Sequence, residues 1–258
     1  KLSDDIQEEL NLFEKDPESQ IIIAPSDHIV MEPEAFQKAA LKGLQFAQHM
    51  KALVTLGIKP TYPNTGYGYI QHETLPVAEQ VYQVKTFTEK PNLELAKTFI
   101  SSGDFLWNAG VFMWSSKDLI KAFEMYEPEM SELFIAEKQH FNTKEENDAL
   151  ERIYPQCTNI SIDYAIMEKA NNVYVIPSSF GWSDLGTWNS AYDNLEKDYL
   201  GNAVAGGNVM IIDATKCMVS APDKKLLLLQ GMDDFIIIDT EDVLLICKKE
   251  KEQQIKEY

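Results

Sequence analysis

The start of the chain alternates short apolar runs with one long amphipathic segment, and this order restricts the fold more than any other feature. Residues 21–24 are wholly apolar, residues 33–50 place apolar side chains at helical spacing behind Pro33, and residues 53–58 are again mostly apolar. Strand, helix and strand in this order predict a βαβ unit, whose helix packs on one face of a sheet. Pro33 suits the first helical turn, where its missing N–H is not needed. We therefore predict an α/β fold with a mixed, mostly parallel sheet and helices on both faces.

Similar runs continue to about residue 200. Residues up to Asp16 have the pattern of the end of a helix, with Ile6, Leu10 and Phe13 on one face. The other strands that we predict are at residues 81–88, 110–114 and 173–176. The other predicted helices lie within residues 92–103, 116–153, 162–170 and 187–195, and we expect Asn92 to cap a helix that ends at Gly103 and Thr187 to open the last one.

The pattern of the chain changes after Gly201. Short apolar runs at residues 209–212, 226–229, 235–238 and 243–247 are separated by turns, which is typical of a β-rich module. The charged residues 248–258 predict a closing helix. We therefore predict two domains, residues 1–200 and residues 201–258, of which the second is a small β-rich module.

The charge of the chain excludes several kinds of partner. Its 258 residues carry a formal charge of −18, which is unfavourable for nucleic acid and for anionic membranes. The sequence has neither an apolar run long enough to span a bilayer nor a signal peptide. Its three cysteines form no CxxC pair, and their odd number argues against a disulfide framework. We expect a cytoplasmic protein without nucleic-acid or membrane partners, in which local cations or a metal help to bind an anionic substrate.

Two aspartates follow short apolar strands and lie in turns. Asp27 comes after the run that ends at Ala24, and Asp184 comes after residues 173–176 and a glycine turn. Carboxylates at the carboxyl ends of strands in an open α/β sheet point into the ligand crevice. Mg2+ takes one or two protein carboxylates and completes its shell with water and substrate phosphate. The pair therefore predicts a Mg2+ site for a phosphorylated substrate, although a turn in which Asp bonds its own backbone explains Asp27 equally well.

An acid and a base stand together at the end of the strand predicted at residues 81–88. Glu89 and Lys90 precede Pro91, which ends the strand and fixes its exit. Lys90 can bind a phosphate as a point charge, and Glu89 can accept hydrogen bonds from sugar hydroxyls. An exposed ion pair is the commoner fate of such neighbours. They act together only if the chain turns here, because neighbours on a strand face opposite sides.

Four other positions are candidates with simpler explanations beside them. Asn108 can offer its amide to a polar ligand or serve as a turn residue. Gly66 and Gly68 allow the backbone to approach a ligand closely, or serve only their turn. Asp163 stands where a helix begins and suits the helix dipole, or it lies near the substrate.

Six short phrases, in this order, resemble the sugar-phosphate nucleotidyltransferases, and most closely the bacterial mannose-1-phosphate guanylyltransferases. The phrases are residues 25–28 (PSDH), 65–70 (TGYGYI), 87–91 (FTEKP), 107–110 (WNAG), 161–164 (SIDY) and 181–188 (GWSDLGTW). Each is only modestly specific, but together they extend over most of the chain. The resemblance implies a Rossmann-like nucleotidyltransferase sheet and a β-helix-like C-terminal module that takes part in subunit contacts, hence a homodimer or other homo-oligomer.

The resemblance also implies an enzyme that makes GDP-mannose and pyrophosphate from GTP and mannose 1-phosphate with Mg2+. Asp27 and Asp184 would hold the Mg2+, and Lys90 would bind the phosphate of the sugar. The residues implied to lie at the mannosyl group are Gly66, Glu89 and Asn108, with Asp163 nearby.

One departure from the family is the absence of its phosphate-binding loop, of the form GGxGxRxWPxSR. We therefore expect the natural protein to be longer and this chain alone to be inactive or nearly so. Two alternatives stay open: a nucleotidyltransferase for another sugar or base, and a non-catalytic regulatory subunit that binds a nucleotide-sugar. A metal-dependent glycosyltransferase fits less well, because no Asp-x-Asp motif follows the first strand.

Overall fold

The computed structural model describes residues 11–257, which form two compact units. The first unit contains residues 11–26 and Val30–Trp182, and the second contains Asp27–Ile29 and the chain from Ser183 onward. Residues 11–15 are helical. The predicted helix face of Ile6 and Leu10 lies outside the described residues.

The chain up to residue 183 alternates strands with helices. Its strands are β1 (Gln20–Ile23), β2 (Ile29–Val30), β3 (Leu53–Ile58), β4 (Gly68–His72), β5 (Tyr82–Glu89), β6 (Phe105–Ser115), β7 (Val173–Ser178) and β8 (Trp182–Ser183). Its α-helices are α1 (residues 11–15), α2 (Pro33–Met50), α3 (Leu93–Ser102), α4 (Ser116–Tyr126), α5 (Pro128–Glu137) and α6 (Glu146–Ile153). Strands β2 and β8 pair with each other, and the other six form the main sheet.

The main sheet is mixed. Its order is β1-β6-β3-β7-β5-β4, and β6 also pairs with β4. Strands β1, β3, β4 and β7 run in one direction, and β5 and β6 run in the other. The crossover from β1 through α2 to β3 leaves one place between these two strands, which β6 fills in the antiparallel sense. The α/β class is therefore confirmed. Four of the six strands run in the same direction, as a mostly parallel sheet requires, but neighbouring strands are mostly antiparallel. Among the described ladders of this sheet only β3–β7 is parallel.

Helices cover both faces of the sheet, as predicted. Successive residues of a strand point to opposite sides. On one side, Leu53, Trp114 and Val175 share a core with the apolar sides of α4, α5 and α6. On the other side, Val54 and Met113 share a core with α2. All five side chains are buried.

Local sequence signals set most of the helix ends. Asn92 accepts a hydrogen bond from the Leu95 N–H at 2.9 Å, and Gly103 closes α3 in the left-handed conformation, as predicted. The segment predicted as a helix over residues 162–170 differs, because Asp163–Met167 form a π-helical turn. The Glu168 N–H closes this turn on the Asp163 carbonyl at 2.9 Å. Single π-helical turns are rare and are found frequently at functional sites.

The second unit is β-rich and coils like a β-helix. Strands β9 (Ala203–Ala205), β11 (Met218–Ser220) and β13 (Phe235–Asp239) stack in parallel as its first wall. Strands β10 (Asn208–Ile212) and β12 (Leu226–Gln230) pair in parallel as its second wall. The chain thus passes from one wall to the other in each coil, until β14 (Leu244–Lys248) pairs antiparallel with β13. The predicted closing helix is a 3-10 helix, Lys249–Glu257.

The second compact unit also contains a helix. Helix α7 (Trp188–Asn194) packs through Ala191 and Tyr192 on Met218 and Ile236, at the outer face of the first wall. These contacts assign α7 to the second compact unit, which begins at Ser183 on this side of the chain, and the domain boundary near residue 200 stays a prediction.

Two further observations concern the chain as a whole. No helix among residues 11–257 is long and apolar enough to cross a membrane. Cys157, Cys217 and Cys247 are free thiols, and burial raises the pKa of the Cys157 and Cys247 thiols.

The first coil of the second unit depends on the buried side chain of Asn202. Its amide donates to the Asp198 carboxylate and to the Ala214 carbonyl, both at 2.9 Å, and accepts the Cys217 N–H at 3.0 Å. We expect Asn202→Ala to lower the free energy of unfolding by about 2–4 kcal/mol, because a buried N–H and a buried carbonyl lose their partner. Urea unfolding followed by circular dichroism measures this change.

Asn208→Ala is the matched control, because Asn208 is exposed on β10. It should change the free energy of unfolding by about 0.5 kcal/mol or less. Equal losses in the two variants would contradict the structural role of Asn202.

Candidate functional site

The chain turns sharply at Lys90, directly after β5. Lys90 has a left-handed backbone (φ 46°), and its N–H donates to the Tyr67 carbonyl at 3.2 Å. The turn brings the side chains of Glu89 and Lys90 together, with Nζ 3.2 Å from Oε2. The pair is asymmetric, because the Lys90 side chain is 63% exposed and that of Glu89 only 7%. A buried carboxylate thus holds an ammonium group that solvent and ligands can reach.

Asn108 lies at one end of a bulge in β6. Gly57 of β3 pairs with Asn108, and Thr55 pairs with Phe112. Three residues of β6 therefore lie between these pairs, opposite one residue of β3. Gly110 has φ 69°, a conformation that glycine adopts at little cost. The N–H of Gly110 donates to Asn108 Oδ1 at 3.1 Å.

Asp163 meets Asn108 across the first unit. The π-helical turn carries Asp163 to Asn108, whose Nδ2 donates to Asp163 Oδ1 at 3.0 Å. Burial raises the pKa of Asp163 to about 6, and the Glu89 carboxylate adds to the rise. Hydrogen bonds from Ser161 and Asn108 oppose it, because they stabilise the ionised form.

Several acids surround the Lys90 ammonium. Burial by itself would lower the pKa of Lys90, but Glu89, followed by Tyr164 and Asp163, raises it above the usual value. Burial raises the pKa of Glu168, and the Glu89 charge adds to this, while the Glu89 N–H opposes it. Lys90 therefore lies among acids whose charges repel one another, and Lys169 opposes the rise in the pKa of Glu168.

The two glycines of the TGYGYI phrase differ in their roles. A Cβ on Gly68 would overlap the Glu89 carboxylate and lie 3.3 Å from Asn108 Cβ, so a larger residue here would displace the Glu89 side chain from its present position. The N–H of Gly66 donates to Asn64 Oδ1 at 2.7 Å, which closes the turn. The predicted sugar contact of Gly66 stays a prediction.

Asp27 and Asp184 both lie in the second unit. The N–H of Met31 donates to the Gly181 carbonyl at 3.2 Å, and the N–H of Glu32 donates to the Phe180 carbonyl at 3.0 Å. The two segments are therefore antiparallel, and the β2–β8 pairing continues them. Since Asp27 precedes β2 and Asp184 follows β8, the two aspartates stand at the same end of this ladder.

The donors at this end of the ladder fit a magnesium ion. Asp184 is half-buried and Asp27 is exposed. A Cβ on Gly186 would lie 2.7 Å from Asp184 Oδ2, so the small residue leaves room for the carboxylate. Among residues 11–257 there is no group of three or more His, Cys, Asp or Glu side chains that could hold a metal. An ion held by these two aspartates would take its other ligands from water and phosphate, which is the usual coordination of Mg2+.

The structure thus brings four of the seven predicted site residues together in the first unit. Glu89, Lys90, Asn108 and Asp163 form one cluster, which we call the polar cluster. Lys90 forms an ion pair with Glu89, which agrees with the simpler explanation of an ion pair. The Lys90 side chain is nevertheless exposed, whereas that of Glu89 is buried. The roles of all seven residues in binding and catalysis stay predictions.

The sequence argument missed two residues that shape the polar cluster. Thr55 is fully buried in β3, and its Oγ1 lies 3.3 Å from Asn108 Oδ1. Asn64 binds Gly66 through its side chain, and its carbonyl accepts the Tyr69 hydroxyl at 2.9 Å. A hydroxyl residue inside an otherwise apolar strand is the signal that could have identified Thr55.

A cavity of about 370 Å³ lies beside the loop after Asp184. Its wall is mostly apolar, with Leu185 and Trp188 among its residues, and includes the carboxylate of Glu252. Asn189 donates to both oxygens of that carboxylate, at 3.0 and 2.7 Å. Such a wall attracts no phosphate, so the cavity is a poorer candidate for an anionic substrate than the polar cluster.

Two family models match the chain in succession. A model described as nucleotidyl transferase matches residues 4–199, and one described as a MannoseP isomerase/GMP-like β-helix domain matches residues 207–258.

Several known proteins are similar to the chain over most of its length. It is 32% identical over 254 residues to the alginate biosynthesis protein AlgA of Pseudomonas syringae pv. tomato, covering 96% of this chain and 51% of that protein. It is 34% identical over 241 residues to a mannose-1-phosphate guanylyltransferase of Salmonella montevideo, covering 92% and 50%. A crystal structure described as a mannose-1-phosphate geranyltransferase from Thermus thermophilus matches with a TM-score of 0.82 at 28% identity, covering 99% and 73%. The chain spans about half the length of the curated relatives it matches.

The raised pKa of Asp163 predicts a pH dependence of stability. Between about pH 4 and pH 6 the folded protein holds a proton on Asp163 that the unfolded chain loses. The stabilisation is therefore complete below about pH 4 and is lost as the pH rises through 6. We expect Asp163→Asn, which keeps an acceptor oxygen for Asn108, to remove this fall, on the order of 1–3 kcal/mol. Urea unfolding at several pH values between 4 and 7 measures it.

Glu132→Gln, at an exposed position of α5, is the control and should follow the wild type at every pH. Parallel stability curves for the wild type and Asp163→Asn would show that Asp163 titrates alike in the folded and unfolded states.

Proposed function

The chain belongs to the nucleotidyl transferase family, and from this premise we propose that it makes GDP-mannose and pyrophosphate from GTP and mannose 1-phosphate. The polar cluster is the observation that carries the proposal. Its exposed ammonium suits a phosphate, and its carboxylates and amide suit hydroxyl groups. A relative from Salmonella montevideo is named for this reaction.

The polar cluster would bind the sugar phosphate in two parts. Lys90 would hold the phosphate, while the buried Glu89 beneath it accepts hydrogen bonds from sugar hydroxyls. The amide of Asn108 would donate to a hydroxyl, with Asp163 next to it. Gly66 would present its backbone to the mannosyl group. Fixed groups of this kind serve catalysis by alignment, because they hold the attacking oxygen in one position.

The proposed chemistry is one displacement at phosphorus. An oxygen of the sugar phosphate attacks the α-phosphorus of GTP. The bond between the α-phosphorus and the oxygen that bridges to the β-phosphorus breaks, and pyrophosphate leaves with that oxygen. Asp27 and Asp184 would hold Mg2+, which supplies positive charge to the phosphate oxygens as charge develops. With a formal charge of −18, the protein repels both anionic substrates at long range. The exposed ammonium of Lys90 would therefore provide local attraction for the phosphate.

Release of pyrophosphate from two substrate pairs tests this proposal. We expect the complete product of the gene to turn over GTP and mannose 1-phosphate with Mg2+, to show little turnover with UTP and glucose 1-phosphate, and to show none after chelation of the metal. We expect little or no turnover from this chain alone. The assay is run on this chain and on the complete product of its gene, because the chain lacks the family's phosphate-binding loop. Turnover with the second pair alone would assign another sugar and base, and no turnover by either protein would favour a regulatory subunit.

Asp184→Asn should lower kcat/KM by on the order of a hundredfold or more, because it removes one of two carboxylates from the metal. The expected change in stability is small by comparison, on the order of 1 kcal/mol. Asp213→Asn, at an exposed position of the second unit, is the control. Normal turnover of Asp184→Asn would remove the metal role of this residue.

The same proposal includes a homo-oligomer in the cytoplasm. Helix α7 covers the outer face of the first wall, but the outer face of the second wall carries exposed apolar side chains. They are Met210, Ile212, Leu226 and Leu228, of which Met210 and Leu228 are paired across the ladder. Adjacent apolar side chains of this size favour burial against a partner.

Leu226→Lys combined with Leu228→Lys should convert an oligomer of this chain to monomers. The two charges would have to be buried in the proposed contact, which is unfavourable without partners. Sedimentation velocity at several concentrations measures the change. Leu75→Lys, at an exposed position of the first unit, is the control. A monomeric wild type, or a variant that stays oligomeric, would contradict the proposed contact.

A further inference from the structure

Thr55 is a polar residue in the middle of an apolar strand. It is fully buried, and its neighbours on β3 are Val54 and Leu56. Its Oγ1 lies 3.0 Å from the Val111 carbonyl and 3.3 Å from Asn108 Oδ1. A buried hydroxyl is unfavourable unless it is hydrogen-bonded, and here two acceptors face one proton.

The two acceptors of Thr55 belong to the two ends of the β6 bulge. Asn108 and Val111 flank Ala109 and Gly110, and β3 passes opposite them. The hydroxyl therefore joins the side chain at one end of the bulge to the backbone at the other. Rotation of the Asn108 side chain would break this link.

The same contacts determine which way the Asn108 carboxamide faces. The N–H of Gly110 can only donate, so the atom 3.1 Å away must be the amide oxygen. The Thr55 hydroxyl is a second donor to that oxygen. The NH2 group is left to face Asp163, where it donates at 3.0 Å. A flipped amide would turn its NH2 group towards the Gly110 N–H, which cannot accept, and would lose the bond to Asp163.

We propose that Thr55 is a positioning residue of the polar cluster, whose hydroxyl holds the Asn108 carboxamide with its NH2 group turned towards Asp163 and the sugar phosphate. Thr55 touches no substrate in this scheme and acts through Asn108. The substrate's identity rests on the proposed function, whereas the contact between Thr55, Asn108 and Asp163 does not.

Two substitutions at Thr55 separate the hydroxyl from the shape of the side chain. Thr55→Val keeps the shape and removes the donor, and Thr55→Ser keeps the donor. Titration calorimetry with mannose 1-phosphate should show a Kd about tenfold weaker for Thr55→Val and within about twofold of wild type for Thr55→Ser. Thr86→Val removes an exposed hydroxyl on β5 and should leave Kd unchanged.

A double-mutant cycle tests whether Thr55 acts through Asn108. Thr55→Val should have no further effect on Kd in the background of Asn108→Ala. Losses that add in full would overturn the proposal, because they would show that Thr55 acts by another route. If Thr55→Val does not fold, Thr55→Cys, whose thiol is a weaker donor, takes its place in the cycle.

Carboxyl carbon NMR of Asp163 supplies a readout without substrate. The pKa of Asp163 should rise in Thr55→Val, because the Asn108 amide lowers it when held in place. An unchanged Asp163 titration together with an unchanged Kd would overturn the proposal. If the wild type binds no mannose 1-phosphate, the proposed function fails for this chain, and the Asp163 titration alone then decides the role of Thr55.

Discussion

The first unit depends on β3, a strand that has a hydrogen-bonded neighbour on each side. It pairs with β6 and β7, and at Gly57 a Cβ would lie 2.6 Å from Leu106 and 2.7 Å from Val175. A strand packed so closely cannot shift its register without exposing its core residues. The extra residues of β6 must therefore be accommodated in β6 itself, which is why the bulge forms beside Asn108. The position of the Asn108 amide therefore follows from the packing of a mostly apolar strand.

The polar cluster combines an exposed cation with a buried acid in a strongly acidic protein. Glu89 is buried beneath Lys90, and its charge keeps the ammonium protonated while taking up only one side of it. The exposed side of Lys90 is then free to meet a phosphate. An exposed lysine without a buried partner would move among many rotamers, and its order would cost more entropy on binding.

Sequence patterns predicted the helix α2, the caps of α3 and α7, and the alternation of buried strands, because these depend on local spacing and capping chemistry. The pairing partners of the strands were harder to predict from the sequence. Strand β6 was predicted as five residues and spans eleven, because its first residues are held in the sheet by hydrogen bonds to β4. The turn at Lys90 was foreseen from Pro91. The bond between Asn108 and Asp163 was not, because residues 55 positions apart meet only through the tertiary fold. The resemblance nevertheless selected both residues.

The balance of donors and acceptors in the polar cluster narrows the ligand class further. An inorganic phosphate needs donors only, and the Glu89 and Asp163 carboxylates would repel it. A sugar hydroxyl both donates and accepts, so it can bond a carboxylate and the Asn108 amide at once. Burial of a carboxylate disfavours its ionised form, as the raised pKa of Asp163 indicates. Hydrogen bonds from sugar hydroxyls would offset this unfavourable desolvation. The acids that weaken binding of a bare anion therefore favour a phosphate that carries a polyol.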